Sequence, residues 1–155
     1  MFQPFNILFY RGNSLLGRLI RKVSNGKYSH CSLILDHFHT LETSWKNPSV
    51  IRHFDYKYKD YDIYKINVRL TEYQKQIILQ YIIEHVETGY DYKFLVTRFF
   101  RLLFGTKVMN SKKYLTCDEL IVEAFKVAGI HLIEKDELLT PSTLSRSKYL
   151  DRVYL

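Results

Sequence analysis

The sequence predicts an α+β fold, a small antiparallel sheet packed against helices, and three observations carry that expectation. Two threonine-led capping boxes, Thr71 with Gln74 and Thr116 with Glu119, each open a run of apolar residues at helical spacing. Short stretches of alternating character, such as YSHCSLIL, are joined to their successors by turn residues. The 155 residues, 46% hydrophobic and 25% charged, have the balance of one ordinary globular domain, here taken as 1–155. A chain of that length buries about 70% of the surface its unfolded form exposes, enough for a core without disulfide or metal staples.

In chain order, Pro4 to Tyr10 reads as a first strand. Ser14 caps a short helix in which Leu15, Leu16, Leu19, Ile20 and Val23 recur at helical spacing, with Arg18, Arg21 and Lys22 expected on the outer face. Asn25-Gly26 turns the chain into a strand from Tyr28 to Leu35. Alternation there puts Tyr28, His30, Ser32 and Ile34 on one face, and Ser29, Cys31, Leu33 and Leu35 on the other. A turn at Asp36-His37 leads to a strand from Phe38 to Ser44, and Val50 to Phe54 and Ile63 to Val68 are further strands. The longest helix is expected from Glu72 to Thr88, with Ile77, Ile78, Tyr81, Ile82 and Val86 buried and Gly89 as its stop. A second helix begins beyond Thr116, buries Leu120, Ile121, Ala124, Phe125 and Ala128, and ends at Gly129. Thr140-Pro141 opens a last helical turn.

Composition excludes several classes. No run of about 18 apolar residues is present, so no transmembrane helix is expected, and the start MFQPFNILFYRGN lacks the pattern of a secretory signal. Two cysteines make no disulfide framework, which fits a reducing compartment and a cytoplasmic location. The net charge of +7 favours anionic partners at encounter. The Tyr/Lys-rich stretch from Tyr56 to Lys65 resembles a base-stacking surface, but Asp60 and Asp62 dilute its charge, and nucleic acid is not the expected partner. The segment 92–104, YKFLVTRFFRLLF, reads first as a helix wrapped over the core. Its alternative is a basic apolar lid that touches an anionic membrane surface.

The residue with the strongest chemical signature is Cys117. With Thr116 as N-cap it occupies the first helical position, where unpaired N–H groups and the positive end of the helix dipole favour a thiolate. Asp118 and Glu119 oppose part of that effect, so a basic partner is needed. Among the six histidines His30 is the candidate, because its strand face also carries Ser32 where a plain core strand would be apolar. A base must reach the sulfur and be oriented through its second ring nitrogen, and Glu42 on the next strand suits that role. A three-residue loop at Leu35 to His37 would set His30 directly opposite Glu42. A two-residue loop would separate them to opposite faces and bring Thr40 or His39 into consideration.

These residues carry a resemblance. His30 in YSHCSLIL, Glu42 in TLETSW and Cys117 in YLTCDELIVEAFKVAGI stand in the order histidine, polar residue, cysteine. That order resembles the circularly permuted papain-like proteins of the YiiX/YaeF-like group, related to lecithin–retinol acyltransferase-like and NlpC-type cysteine enzymes. RGNSLLGRLIRKVSNGKYSH, GYDYKF and TPSTLSRSKYL are similar to the group's lead-in, its Gly-x-x-Tyr-Asp segment and its closing stretch. The resemblance implies a circularly permuted papain-like (NlpC-type) fold with the cysteine helix against the histidine strand. It also implies a nucleophile at Cys117, a base at His30 and an orienting group at Glu42. The implied activity is a cysteine-dependent hydrolase or acyltransferase acting on an amide or ester, whether peptide, amidated or lipid, through a thioester and without a cofactor. Cys31 has no counterpart role in the group and is expected in the core beside Leu33 and Leu35. His30, His37 and His39 do not follow zinc-ligand spacing, so no metal is expected. The alternative to an enzyme is a basic binding protein on the same scaffold, whose partner is nucleic acid, anionic lipid or an acidic protein.

Overall fold

A computed structural model describes residues 3–44, 47–54, 60–85, 116–134 and 137–154. Six strands, β1 (Ile7–Tyr10), β2 (His30–Ile34), β3 (His39–Ser44), β4 (Asn47–His53), β5 (Tyr61–Ile66) and β6 (Leu150–Val153), form one sheet in the order β4-β3-β2-β1-β5-β6. Every neighbouring pair is antiparallel. Four helices are described: α1 (Leu15–Val23), α2 (Glu72–His85), α3 (Cys117–Val127) and α4 (Pro141–Leu144).

The short run ILFY becomes the inner strand β1 because both of its faces are covered. Ile7 and Phe9 join Cys31, Leu33 and Leu41 in the larger core under α2 and α3, where Ile78, Ile82, Leu120, Ile121, Ala124 and Phe125 meet them. Leu8 faces the other way, into a smaller cluster with Ile34, Tyr61 and Ile63. Burying apolar area on both sides of β1 contributes roughly 25 cal/mol per Å². Gln74 Nε2 donates to Ala128 O at 3.1 Å and ties α2 to the end of α3. That end is a Schellman turn: Gly129 at φ +81° lets Ile130 N donate back to Phe125 O at 2.9 Å.

Several expectations shift. Strand β1 starts at Ile7, since Phe5 has a positive φ of 69° and breaks the extended chain before it. Strand β5 runs two residues earlier than Ile63–Val68, because at Asn67 the chain leaves the ladder and Asn67 N bonds Tyr149 O at 2.9 Å. Strand β4 begins at Asn47 rather than Val50, and the edge strand β6 had no distinct sequence signal. The outer face of α1 differs most. Leu15 is 85% exposed and Leu19 42%, whereas the buried residue is Gly17. A Cβ at position 17 would meet Gly12 O at 2.8 Å, so α1 docks through the bare backbone at Gly17 and turns Leu15 and Leu19 outward with Arg18 and Lys22. The end of the longest helix, Gly89 and the segment 92–104 lie outside the described residues, as does most of the loop from Tyr56.

Two tethers hold the start of β2. Ser142 Oγ of α4 accepts from Tyr28 N at 2.9 Å and donates to Tyr28 O at 3.1 Å. The Tyr28 hydroxyl donates to Asp62 on β5, whose carboxylate also takes Lys27 Nζ at 2.7 Å, Arg152 Nη2 at 2.6 Å and Arg11 Nη1. Burial alone would push the Asp62 carboxyl up. The hydrogen bonds from Lys27, Tyr28 and Arg152 and the charge of Arg11 hold it at about 2, below its ordinary 3.8.

Because its folded-state pKa is depressed, Asp62 contributes stability that is present above about pH 4 and lost as pH falls toward 2. Asp62→Asn is expected to lower the unfolding free energy at neutral pH by about 2 kcal/mol and to flatten that acid limb, as read by urea unfolding across pH. An unchanged midpoint at both pH 7 and pH 3 would contradict the tether.

Candidate active site

Helix α3 begins at Cys117 and strand β2 at His30, the two residues central to the candidate site. Two carboxylates of the first helical turn close onto Thr116: Thr116 N donates to Glu119 Oε2 at 2.9 Å, and the single Thr116 hydroxyl is shared between Asp118 Oδ1 at 2.6 Å and Glu119 Oε2 at 2.8 Å. This fixes Cys117 as the first helical residue, with its thiol buried in the core that α3 shares with β2.

His30 opens β2 and shares a hydrogen bond with Cys117. Its Nε2 lies 3.3 Å from Ser32 Oγ and 3.6 Å from Glu42 Oε2. Ser32 Oγ donates to Glu42 Oε1 at 3.2 Å, as does Thr40 Oγ1 at 3.2 Å. Since Ser32 spends its proton on Glu42, it accepts from His30 Nε2–H.

The hairpin explains why Glu42 is there. Leu33 pairs with Leu41 and Ile34 with Thr40, so five residues, Leu35 to His39, separate the last paired positions. Asp36 Oδ1 shapes that loop by accepting from Phe38 N at 2.7 Å and His39 N at 2.8 Å. The expected three-residue loop is therefore corrected. Continuing the observed register places Glu42 opposite Ser32 and diagonal to His30. The displacement is two residues, so the face is preserved. Thr40 was weighed as a substitute for Glu42, but it stands beside it and bonds it. His39 turns instead to Asp36, with Nδ1 2.9 Å from Oδ2.

The site electrostatics run in opposite directions on the two central groups. The Cys117 thiol is held down to about 5, first by a hydrogen bond from Cys31, then against burial by the charge and hydrogen bond of His30; the Asp118 charge pushes it back up. For His30, burial pushes the pKa down most strongly. The Cys117 charge and hydrogen bond, with the hydrogen bond and charge of Glu42, together overturn that and raise it to about 10. A thiol lowered and an imidazole raised by each other are the directions that a thiolate–imidazolium pair requires.

Sequence reasoning left two contributors in lesser roles. Ser32 entered only as a sign that its face was polar, yet it links His30 to Glu42. Cys31 is buried among apolar residues as expected, and it also bonds the Cys117 sulfur. The adjacency of Cys31 to His30 was the available signal.

No family model matches the sequence, and no curated protein matches it. The crystal structure of the metalloprotein yiiX from Escherichia coli O157:H7 does match in three dimensions, at 16% identity and a TM-score of 0.73, over 98% of this chain and 96% of that one. The chain has the YiiX fold. In this version of the YiiX fold, no group of three or more His, Cys, Asp or Glu side chains among the described residues is placed to hold a metal ion. No described helix is long and apolar enough to cross a membrane.

The paired ionisation has a direct readout. Alkylation of Cys117 by iodoacetamide, resolved by peptide mass spectrometry, is expected to rise with a midpoint near pH 5. In His30→Ala the positive charge is gone, and the midpoint is expected to move up toward the ordinary thiol value of 9.0. Identical profiles would contradict the pairing.

Proposed function

We propose that the chain is a cysteine-dependent hydrolase or acyltransferase of circularly permuted papain-like topology, acting on an amide or ester carbonyl. The observation that carries this reading is the hydrogen bond between Cys117, the first residue of a capped helix, and His30, which is backed by Ser32 and Glu42. The order of the parts, histidine strand, acidic strand and cysteine helix, is the permuted one. The YiiX fold supports the scaffold, and the chemistry rests on the side chains.

In the proposed reaction the Cys117 thiolate attacks the carbonyl carbon, and the carbonyl electron pair moves onto oxygen. The N–H of Cys117 at the helix start is the proposed donor to that oxyanion. When the tetrahedral adduct collapses, the imidazolium of His30 gives its proton to the departing amine or alcohol, leaving an acyl thioester on Cys117. Neutral His30 then takes a proton from water or from an acceptor hydroxyl or amine, which attacks the thioester and releases the acid or the transferred acyl product. The returning thiolate and the reprotonated imidazole restore the starting pair. Glu42, through Ser32 and directly, keeps Nε2 as the outward donor and stabilises the imidazolium. Peptides, other amides and lipid esters all present the required carbonyl. An anionic membrane surface, met through the basic and aromatic sequence of 92–104, is a proposed partner.

The test is trapping of the acyl-enzyme. Incubation with a panel of p-nitrophenyl esters and fluorogenic amides is expected to give a hydroxylamine-labile mass increment on Cys117 and product turnover, both absent in Cys117→Ala. His30→Ala is expected to lose about 10²–10⁴-fold in turnover. A chain that binds anionic lipid or nucleic acid with steep salt dependence, yet never acylates Cys117, would overturn the enzymatic reading in favour of a binding protein.

A further inference from the structure

Because α1 docks through the bare backbone at Gly17, its opposite side is turned to solvent. Leu15, Arg18, Leu19 and Lys22 follow the spacing of one helical face, and all four are exposed. Leu16, Ile20 and Val23 are half-buried along one flank, so the apolar surface continues part-way round the helix. Two leucines in water between two cations are costly to leave uncovered.

The charge around this face has one sign. The chain carries no Asp or Glu before Asp36. Arg18 Nε donates to Asn13 O at 3.0 Å, and among the described residues no carboxylate pairs with Arg18 or Lys22. Asp62 is no counterweight, since Arg11 and Lys27, which flank α1 in sequence, bond it together with Arg152. The placement matters as well. Helix α1 leads from the end of β1 to the start of β2, where Tyr10 pairs with His30. Gly12 N donates to Ser29 Oγ at 2.9 Å and fastens the lead-in of α1 to the residue before His30. The helix therefore stands at the end of the sheet that carries the candidate site.

We propose that α1 is a docking helix for an anionic membrane surface, with Leu15 and Leu19 entering the acyl boundary while Arg18 and Lys22 meet the lipid headgroups. The stems of arginine and lysine lie along apolar surface and their charged ends reach outward, which suits a stripe that alternates leucine with cation. A nucleic acid offers phosphates but no apolar phase for the leucines, and α1 has no aromatic side chain on which a base could stack. A lipid surface supplies both halves of the match. The docking stands on α1 alone and does not involve 92–104. Its consequence, that the carbonyl attacked by Cys117 belongs to a lipid at that boundary, rests on the proposed thiolate chemistry.

The test is cosedimentation of the full chain with vesicles of phosphatidylcholine and phosphatidylserine, and with vesicles of phosphatidylcholine alone. It compares the wild type with Leu15→Ser/Leu19→Ser and Arg18→Gln/Lys22→Gln, each checked for folding by thermal unfolding. A control, Lys65→Gln/Arg69→Gln, removes two exposed cations at the other end of the sheet. The wild type is expected to bind only the serine-lipid vesicles and to be released by salt. The leucine pair is expected to weaken binding about tenfold or more, and the cation pair about fivefold for each charge removed. The control is expected to bind unchanged. A wild type that ignores both vesicles would overturn the proposal, as would either α1 variant binding at full strength or a control that loses as much as the cation pair. Vesicles ignored while the same four residues bind DNA, or pair two copies of the chain, would overturn it in favour of that partner. The catalytic reading is judged apart: Cys117→Ala is expected to bind vesicles as the wild type does, and both α1 variants to keep the wild-type alkylation midpoint. A free-thiol midpoint in the wild type would sink the thiolate chemistry and leave the docking standing.

Discussion

One contact governs the arrangement: the sulfur at the first residue of α3 against the imidazole at the first residue of β2. Each partner belongs to an element whose start must be placed to within a fraction of an ångström, and the chain commits separate devices to each start. The Thr116–Glu119 box with Asp118 determines where α3 begins. Ser142 grips both backbone atoms of Tyr28, two residues before His30, and the Tyr28 hydroxyl is anchored on Asp62. Between them lies the packed core of Leu33, Leu41, Leu120, Ile121, Ala124 and Phe125, which leaves the helix little freedom to slide along the strand. The closing Thr-Pro-Ser stretch thus acts on the site from 114 residues away in sequence by fixing a strand end.

Burial makes this contact costly and selective. It opposes ionisation of Cys117 and of His30 taken singly. Only their mutual charge, supplemented by donors and acceptors on both outer sides, reverses the outcome. Glu42 supplies the acceptor behind the imidazole, and Ser32 and Thr40 hold Glu42. Asp118 works against the thiolate, and its own carboxylate is tied to the Thr116 hydroxyl in the capping of the helix start. A group needed for capping here weakens the dipole advantage of the same helix end, and the neighbouring donors outweigh it.

The elements that sequence made legible are those with a local physical signal. Thr71 and Thr116 head helices because each has its Gln or Glu three residues on, and the structure starts α2 and α3 at Glu72 and Cys117. YSHCSLIL alternates from His30 onward, with Cys31, Leu33 and Leu35 on the larger cluster and Ile34 on the smaller; Tyr28, expected on the Ile34 face, precedes the strand and joins the larger cluster instead. What eluded sequence was set by tertiary contact. The apolar repeat of α1 suggested a buried stripe, but close backbone approach at Gly17 and Gly12 decides how that helix docks, and no periodicity encodes it. Strand β6 exists because β5 offers an edge to LDRV, which has no alternation of its own. Five residues separate the paired ends of the hairpin, and Asp36 shapes that loop by accepting from two backbone donors at once, so Glu42 sits diagonal to His30 rather than across from it. In the candidate site, Cys117, His30 and Glu42 were legible as residue types in order. The linking position of Ser32 depends on distances that only the packed structure supplies.

The protonation state of His30 tests the central contact most directly. Nitrogen NMR of the imidazole, recorded from pH 5 to pH 11 on the intact chain, separates imidazolium from the neutral ring without relying on turnover or on any reagent. A ring that stays protonated through pH 8 and releases its proton only near pH 10 is the expected result. A ring that is neutral at pH 8, titrating at or below its ordinary value of 6.5, would mean that no thiolate stands beside it.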